Sequence, residues 1–172
     1  MRKLTIIGSG NIGFSLAKGL IKSKDYEARE IVLTRRSLSS LSEEESLGFG
    51  ISDNNLTAVK DADIIVLAVL PQQIRKVMEE IAPSLVPNQI IVSVASGVSC
   101  QDIKDVLGQD TIAVRAMPNT AIAIGQSMTC ISTDNASRSN SLTSLGSSIS
   151  LSMTNCYCLE GCASTIQGTA LT

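Results

Sequence analysis

No histidine occurs in this chain of 172 residues, and that absence removes a large share of enzyme chemistry. Ser-His and Cys-His nucleophile pairs, imidazole general bases and His-containing zinc sites are excluded. Tryptophan is missing too, and two tyrosines with two phenylalanines bring the aromatic content to 2%, so the core has to be aliphatic. An excess of positive charge is also lacking: 14 basic residues against 16 acidic ones give a formal net charge of −2. With no Lys/Arg cluster interleaved with aromatics, nucleic acid is not an expected partner. The longest apolar run, Ile64 to Leu70 before Pro71, is far too short to cross a bilayer. Arg2-Lys3 before an apolar run resembles the start of a signal peptide, but Gly8 and Gly10 cut that run short, and the chain reads as cytoplasmic with no membrane contact. Five cysteines without framework-like spacing fit a reducing compartment. Chemistry is left to a bound cofactor, or to Lys, Asp, Glu, Tyr, Cys, hydroxyl groups and backbone dipoles.

What is present is concentrated first at Lys3 to Gly13. The apolar run Leu4 to Ile7 enters Gly8-Ser9-Gly10-Asn11-Ile12-Gly13, and the amphipathic run Phe14 to Ile21 follows, giving strand, tight turn and helix. Gly8 permits the turn, Gly10 lets the backbone approach a pyrophosphate, and Gly13 lets the helix pack on the strand. Phosphates would sit on the unpaired N–H groups at the helix N-terminus.

The chain then alternates. Glu30 to Thr34 reads as a second strand, a Ser/Glu-rich helical stretch runs to about Leu47, and Phe49 to Ser52 reads as a third strand. A helical turn follows over Asn54 to Lys60, and Asp63 to Val69 is the clearest strand. Pro71 opens a helix to about Ala82 with Ile74, Val77, Met78 and Ile81 on one face. Gln89 to Val94 is a fifth strand, Ser99 caps a helix that Gly108 ends after Leu107, and Thr111 to Arg115 is a sixth strand. Six strands alternating with helices predict an α/β architecture, a doubly wound, mostly parallel Rossmann-type sheet with ligands beyond the strands' carboxyl ends. Further on, a strand over Ser127 to Ile131, a helix over Ser137 to Leu145 and a strand near Ile149 to Met153 are expected.

The end of the second strand bears on the cofactor. An acidic residue there would hold a ribose 2′-hydroxyl, whereas a 2′-phosphate calls for cations. Thr34 is followed by Arg35 and Arg36, so NADP is expected and NAD less so. Other conspicuous residues carry plainer readings. Cys156-Tyr157-Cys158 with Cys162 offers three sulfurs without paired spacing, and no metal is expected. Cys100 and Cys130 read as small buried hydrophobes. Glu43-Glu44-Glu45 reads as a solvated helix face, and Lys104 and Asp105 as ordinary surface charges. For Ser96 and Ser99, a helix cap and a carboxylate contact look alike in sequence.

Gly8 to Gly13, Asn55, Ala68-Val69-Leu70-Pro71, Val94-Ala95-Ser96-Gly97-Val98-Ser99 and above all Arg115-Ala116-Met117-Pro118-Asn119-Thr120 stand in the order and spacing of the landmarks of pyrroline-5-carboxylate reductases, which this chain resembles from Met1 to about Met128. The resemblance implies NADPH-dependent reduction of the cyclic imine of pyrroline-5-carboxylate to proline. It also implies roles. Gly8, Ser9, Gly10, Asn11 and Ile12 would hold the pyrophosphate, and Thr34, Arg35 and Arg36 the adenosine ribose phosphate. Asn55 and Ala68, Val69, Leu70 and Pro71 would line the dinucleotide groove. Ala95, Ser96 and Gly97, with Met117, Pro118, Asn119 and Thr120, would border the nicotinamide. The turn at Val98 and Ser99 would contact the substrate carboxylate, next to Asn119 and Thr120.

Two departures from the family follow. Leu70 stands where its members commonly carry Lys, which removes a polar contact near the groove. Members also continue into a helical second domain that forms dimers or larger homo-oligomers and carries a Ser-Pro-Gly-Gly-Thr-like loop, absent here. The expectation is therefore a cofactor domain over residues 1–154 and the opening of a helical domain over 155–172, with Gln167 to Thr172 as its first turns. Such a chain would bind cofactor, hold no catalytic residue of its own and turn over little. Two alternatives are another NADP-dependent imine or ketone reductase, and a non-catalytic dinucleotide-binding sensor.

Overall fold

Aliphatic four-residue runs, too short for buried helices and rich in Ile, Val and Leu, form the centre of the sheet. The computed structural model describes residues 3–118, 130–133 and 156–157. Within them, β1 (Leu4–Ile7), β4 (Ile64–Leu67) and β5 (Ile90–Ser93) are buried at every position. Around them lie β2 (Ile31–Thr34), β3 (Gly50–Ser52), β6 (Ile112–Met117), β7 (Cys130–Thr133) and β8 (Cys156–Tyr157), in the spatial order β3-β2-β1-β4-β5-β6-β7-β8. All neighbouring pairs are parallel except β6 with β7. The expected doubly wound, mostly parallel α/β sheet is the observed fold.

Side chains alternate across a strand, so each central strand feeds two cores. Leu4, Ile6, Ile64, Val66, Ile90 and Val92 pack with Leu16, Ala17 and Leu20 of α1 (Asn11–Lys22). Ile7, Ile65, Leu67 and Ile91 pack on the opposite face against α3 (Asn55–Lys60), α4 (Pro71–Ile81) and α5 (Cys100–Leu107), through Val59, Ile74, Met78 and Ile103. Cys100, 1% exposed, belongs to this second core as expected. Both phenylalanines go into one edge-to-face contact, Phe14 with Phe49 at 6.2 Å, and Lys18 Nζ lies 4.2 Å from the Phe14 ring centre.

The sequence reading and the structure differ at several boundaries. The first helix begins at Asn11, directly out of the glycine turn. The Ser/Glu-rich stretch divides into a 3-10 turn, Leu38–Ser40, and a five-residue α2, Ser42–Ser46, because Leu41 between them is drawn fully into the core with φ −113° and ψ 17°. β6 runs on to Met117, since antiparallel β7 pairs Met117 with Cys130. Glu43 and Glu45 are exposed, but the expected solvated face is wrong for Glu44, which is 4% exposed. The expected helix over 137–145, the strand over 149–153 and the final turns over 167–172 lie outside the described residues. Among the described residues no helix is long and apolar enough to cross a membrane.

Candidate functional site

The strand order reverses between β1 and β4, and the loops leaving these two strands at their carboxyl ends must diverge, one toward each face of the sheet. A groove of about 1260 Å³ opens there. Its floor is the glycine turn. Gly8, with φ +99°, approaches the β4 exit so closely that a Cβ would lie 2.8 Å from Ala68 O. At Gly13 a Cβ would lie 2.2 Å from Gly8 O. At Gly10, which lines the groove, a Cβ would meet nothing within 4 Å. The turn is tied to β2 through the Gly8 and Ser9 N–H groups, which both donate to Thr34 O at 3.1 and 3.0 Å.

Helix α1 enters the groove with its N-terminus bare. Gly10 is the N-cap, no side chain caps the helix, and its first turn carries no acidic residue. Donor N–H groups at the positive end of the helix dipole, next to a glycine that leaves open space, match the needs of a bound diphosphate.

One wall is the end of β2 and the segment after it. Thr34 is 1% exposed, and its hydroxyl donates to Asn55 Oδ1 at 2.6 Å. The Asn55 amide in turn donates to Glu80 Oε1 at 3.2 Å, linking β2 to α4 through α3. Arg35 and Arg36 are exposed and line the groove. The Arg35 N–H donates to Ser52 O at 3.1 Å, and its Nη1 reaches back to Ser40 O at 3.4 Å. The opposite wall is the β4 exit and α4, with Ala68, Val69, Leu70 and Pro71 all lining it. Pro71 occupies the first turn of α4, and Leu70 before it is 64% exposed. Ala95 and Ser96 beyond β5 close the far end.

The remaining residues singled out in the sequence lie elsewhere. Gly97, with φ +75°, is exposed and does not line the groove. Val98 is 6% exposed in the second core. Met117 ends β6 at 47% exposure, and Pro118 beside it is half-buried. Asn119 and Thr120 lie outside the described residues.

Ser99 is a helix cap. Its Oγ accepts from the Asp102 N–H at 3.1 Å and donates to Asp102 Oδ2 at 2.7 Å, while its own N–H donates to the same Oδ2 at 2.8 Å. These bonds, the backbone one first and the hydroxyl second, hold the Asp102 carboxyl below the usual carboxylate range. A lowered pKa in the folded state means stability that is present above the ordinary value, about 4, and lost as pH falls through the folded one. Ser99→Ala is therefore expected to cost about 1 kcal/mol near neutral pH. The gap to the wild type should narrow below about pH 4 in urea titrations. A gap that stays constant down to acid unfolding would refute the cap's share in the shift.

Some groove residues were missed. Gln72, Lys76 and Glu80 of α4 line it, and their spacing of four, opposite the apolar face, was a signal that could have found them. Lys76 adds a cation on the wall facing Arg35 and Arg36, whereas Asp53 and Glu80 add carboxylates. Glu44 was also missed: its Oε1 accepts from Ser9 Oγ at 2.7 Å, beneath the glycine turn.

Comparison with known proteins places this geometry. Residues 3–97, more than half of the chain, match the family model described as NADP oxidoreductase coenzyme F420-dependent. Among curated proteins, pyrroline-5-carboxylate reductase 1 of Dictyostelium discoideum is 41% identical over 128 residues, covering 74% of this chain and 23% of that protein. Pyrroline-5-carboxylate reductase 2 of the same organism is 41% identical over 133 residues, covering 76% of this chain and 44% of its own. The chain thus spans less than half the length of either relative. The solved pyrroline-5-carboxylate reductase of Coxiella burnetii superposes with a TM-score of 0.83 at 30% identity, over 91% of this chain and 58% of that one. The chain accordingly belongs to the family described as NADP oxidoreductase coenzyme F420-dependent, and within it resembles the pyrroline-5-carboxylate reductases.

Proposed function

We propose that this chain supplies the NADP-binding half of an enzyme that reduces the cyclic imine of pyrroline-5-carboxylate to proline. The observation that carries the reading is the bare N-terminus of α1 at the strand-order reversal, with Arg35 and Arg36 on the groove wall where β2 ends. Backbone N–H groups of the glycine turn would hold the diphosphate, and the two arginines would hold the ribose phosphate through charge-assisted hydrogen bonds. The cofactor domain would run past the boundary at residue 154 that the sequence suggests, because β8, Cys156–Tyr157, pairs with β7 in the same sheet and is no part of a helical domain. The nicotinamide, when bound, supplies the hydride. The protein's part is orientation: Ala95 and Ser96 at the end of β5 would set the nicotinamide end of the groove. An imine needs no nucleophile from the protein, which suits a chain without histidine.

Calorimetric titration of the purified chain with NADPH and NADH in parallel tests the reading. NADPH is expected to bind at least about tenfold more tightly, a difference of about 1.4 kcal/mol. Equal affinities would remove the arginine assignment, and the absence of binding by either nucleotide would remove the cofactor reading as a whole.

A further inference from the structure

Glu44 has no place in the function so far, yet it is 4% exposed in a run of glutamates that the sequence gives every reason to hydrate. A carboxyl group leaves water only where hydrogen bonding offsets the loss. Here the partner is the Ser9 hydroxyl at 2.7 Å, itself on a residue 2% exposed. Ser9 also donates its backbone N–H to Thr34 O at 3.0 Å. One residue of the glycine turn thereby grips the β2–β3 connection on both sides of the arginines, ahead of them at Thr34 and beyond them at Glu44. The segment between holds a three-residue 3-10 turn and the start of a five-residue helix, neither long enough to hold its own shape. Glu44 does not line the groove, so it has no direct route to a ligand there.

We propose that the Ser9–Glu44 hydrogen bond is a latch that sets the Arg35–Arg36 segment against the phosphate turn, which makes Glu44 a positioning residue for recognition of a ribose phosphate. The inference rests on the NADP reading above and goes beyond it. The latch acts on the arginines alone, so its loss discriminates between nucleotides with and without the 2′-phosphate. Loss of general packing would not.

The test titrates the whole chain with adenosine 2′,5′-bisphosphate and with ADP, and follows limited trypsin cleavage after Arg35 and Arg36 without nucleotide. Glu44→Ala is expected to weaken the bisphosphate about tenfold while ADP changes less than about twofold. Glu44→Gln, which keeps an oxygen to accept from Ser9, should stay within about twofold of the wild type for both. Ser9→Ala should lose the bisphosphate as Glu44→Ala does, and the double variant should lose no more than either single one. Cleavage after the arginines should be about tenfold faster in both alanine variants, as expected when a local anchor is released. Equal losses for both nucleotides, or an unchanged cleavage rate, would overturn the latch. Should Glu44→Ala fail to fold, Glu44→Leu, which keeps the buried volume but offers Ser9 no acceptor, takes its place with the same expected losses. Failure of the wild type to bind the bisphosphate would sink the NADP reading, and the cleavage rates would then judge the latch by themselves.

Discussion

Gly13→Ala is expected to cost this chain about 2 to 3 kcal/mol of folding stability, the range for forcing an extra carbon into a packed site. In an ordinary helix the same change would be favourable by about 1 kcal/mol, because alanine loses less backbone freedom than glycine. The sign reverses here because the new Cβ would stand 2.2 Å from Gly8 O and 3.2 Å from the Ala68 Cβ. The first neighbour is backbone, held in place by the bonds from Gly8 and Ser9 to Thr34, so it cannot rotate away as a side chain would. Relief requires α1 to move off the sheet, which would open the first core around Leu16 and Leu20. Urea unfolding gives the answer directly, and a loss below about 0.5 kcal/mol, the scatter of neutral surface changes, would contradict the close approach. Gly10→Ala is the control. Its Cβ meets no protein atom within 4 Å, so stability should hold while nucleotide binding falls.

The second large effect is on selectivity. Replacing Arg35 and Arg36 together by alanine is expected to weaken NADPH about 100-fold and NADH less than about twofold. The estimate takes about tenfold for each arginine, the low end for hydrogen bonds to charged groups, because both side chains are exposed and screened by solvent. Salt supplies a second check. Raising ionic strength should weaken NADPH binding to the wild type more than to the double variant, since screening acts on the arginine–phosphate pairs. Parallel losses for NADPH and NADH would mean that the arginines support the groove as a whole, and that the 2′-phosphate is read elsewhere, with Lys76 the next candidate on the facing wall.

Legibility in the sequence followed the range of the interactions. The start of α5 after Ser99 and its stop at Gly108 could be read because helix-end signals lie within about four positions of their targets, although the sequence left open whether the Ser99 side chain caps the helix or meets a carboxylate. The first strand, turn and helix could be read for the same reason, as could the Pro71 start of α4. Glu44 could not, because its burial depends on a hydroxyl 35 positions earlier, and no local pattern distinguishes it from Glu43 and Glu45. Thr34 shows the same limit. Its place at the end of β2 was legible, but the donation of its hydroxyl to Asn55 joins elements 21 residues apart. The division of the Ser/Glu-rich stretch was hidden because propensity favours an unbroken helix there, and only the core's claim on Leu41 interrupts it.

The sheet order also fixes a timetable. β1 is made before the other strands of the sheet, yet it ends up between β2 and β4. Until residues 31–34 and 64–67 have been made, both edges of the first strand carry unpaired N–H and C=O groups. The glycine turn has no carbonyl of Thr34 to bind before then, and Gly8 has no Ala68 to lean on. Once α4 is complete at Ile81, every strand and helix flanking the glycine-turn end of the groove exists, while β5 and β6 are still to come. A nascent chain that has passed residue 81 therefore already holds the glycine turn, the two arginines and α4, the parts that line that end of the groove, before β5 and β6 are made.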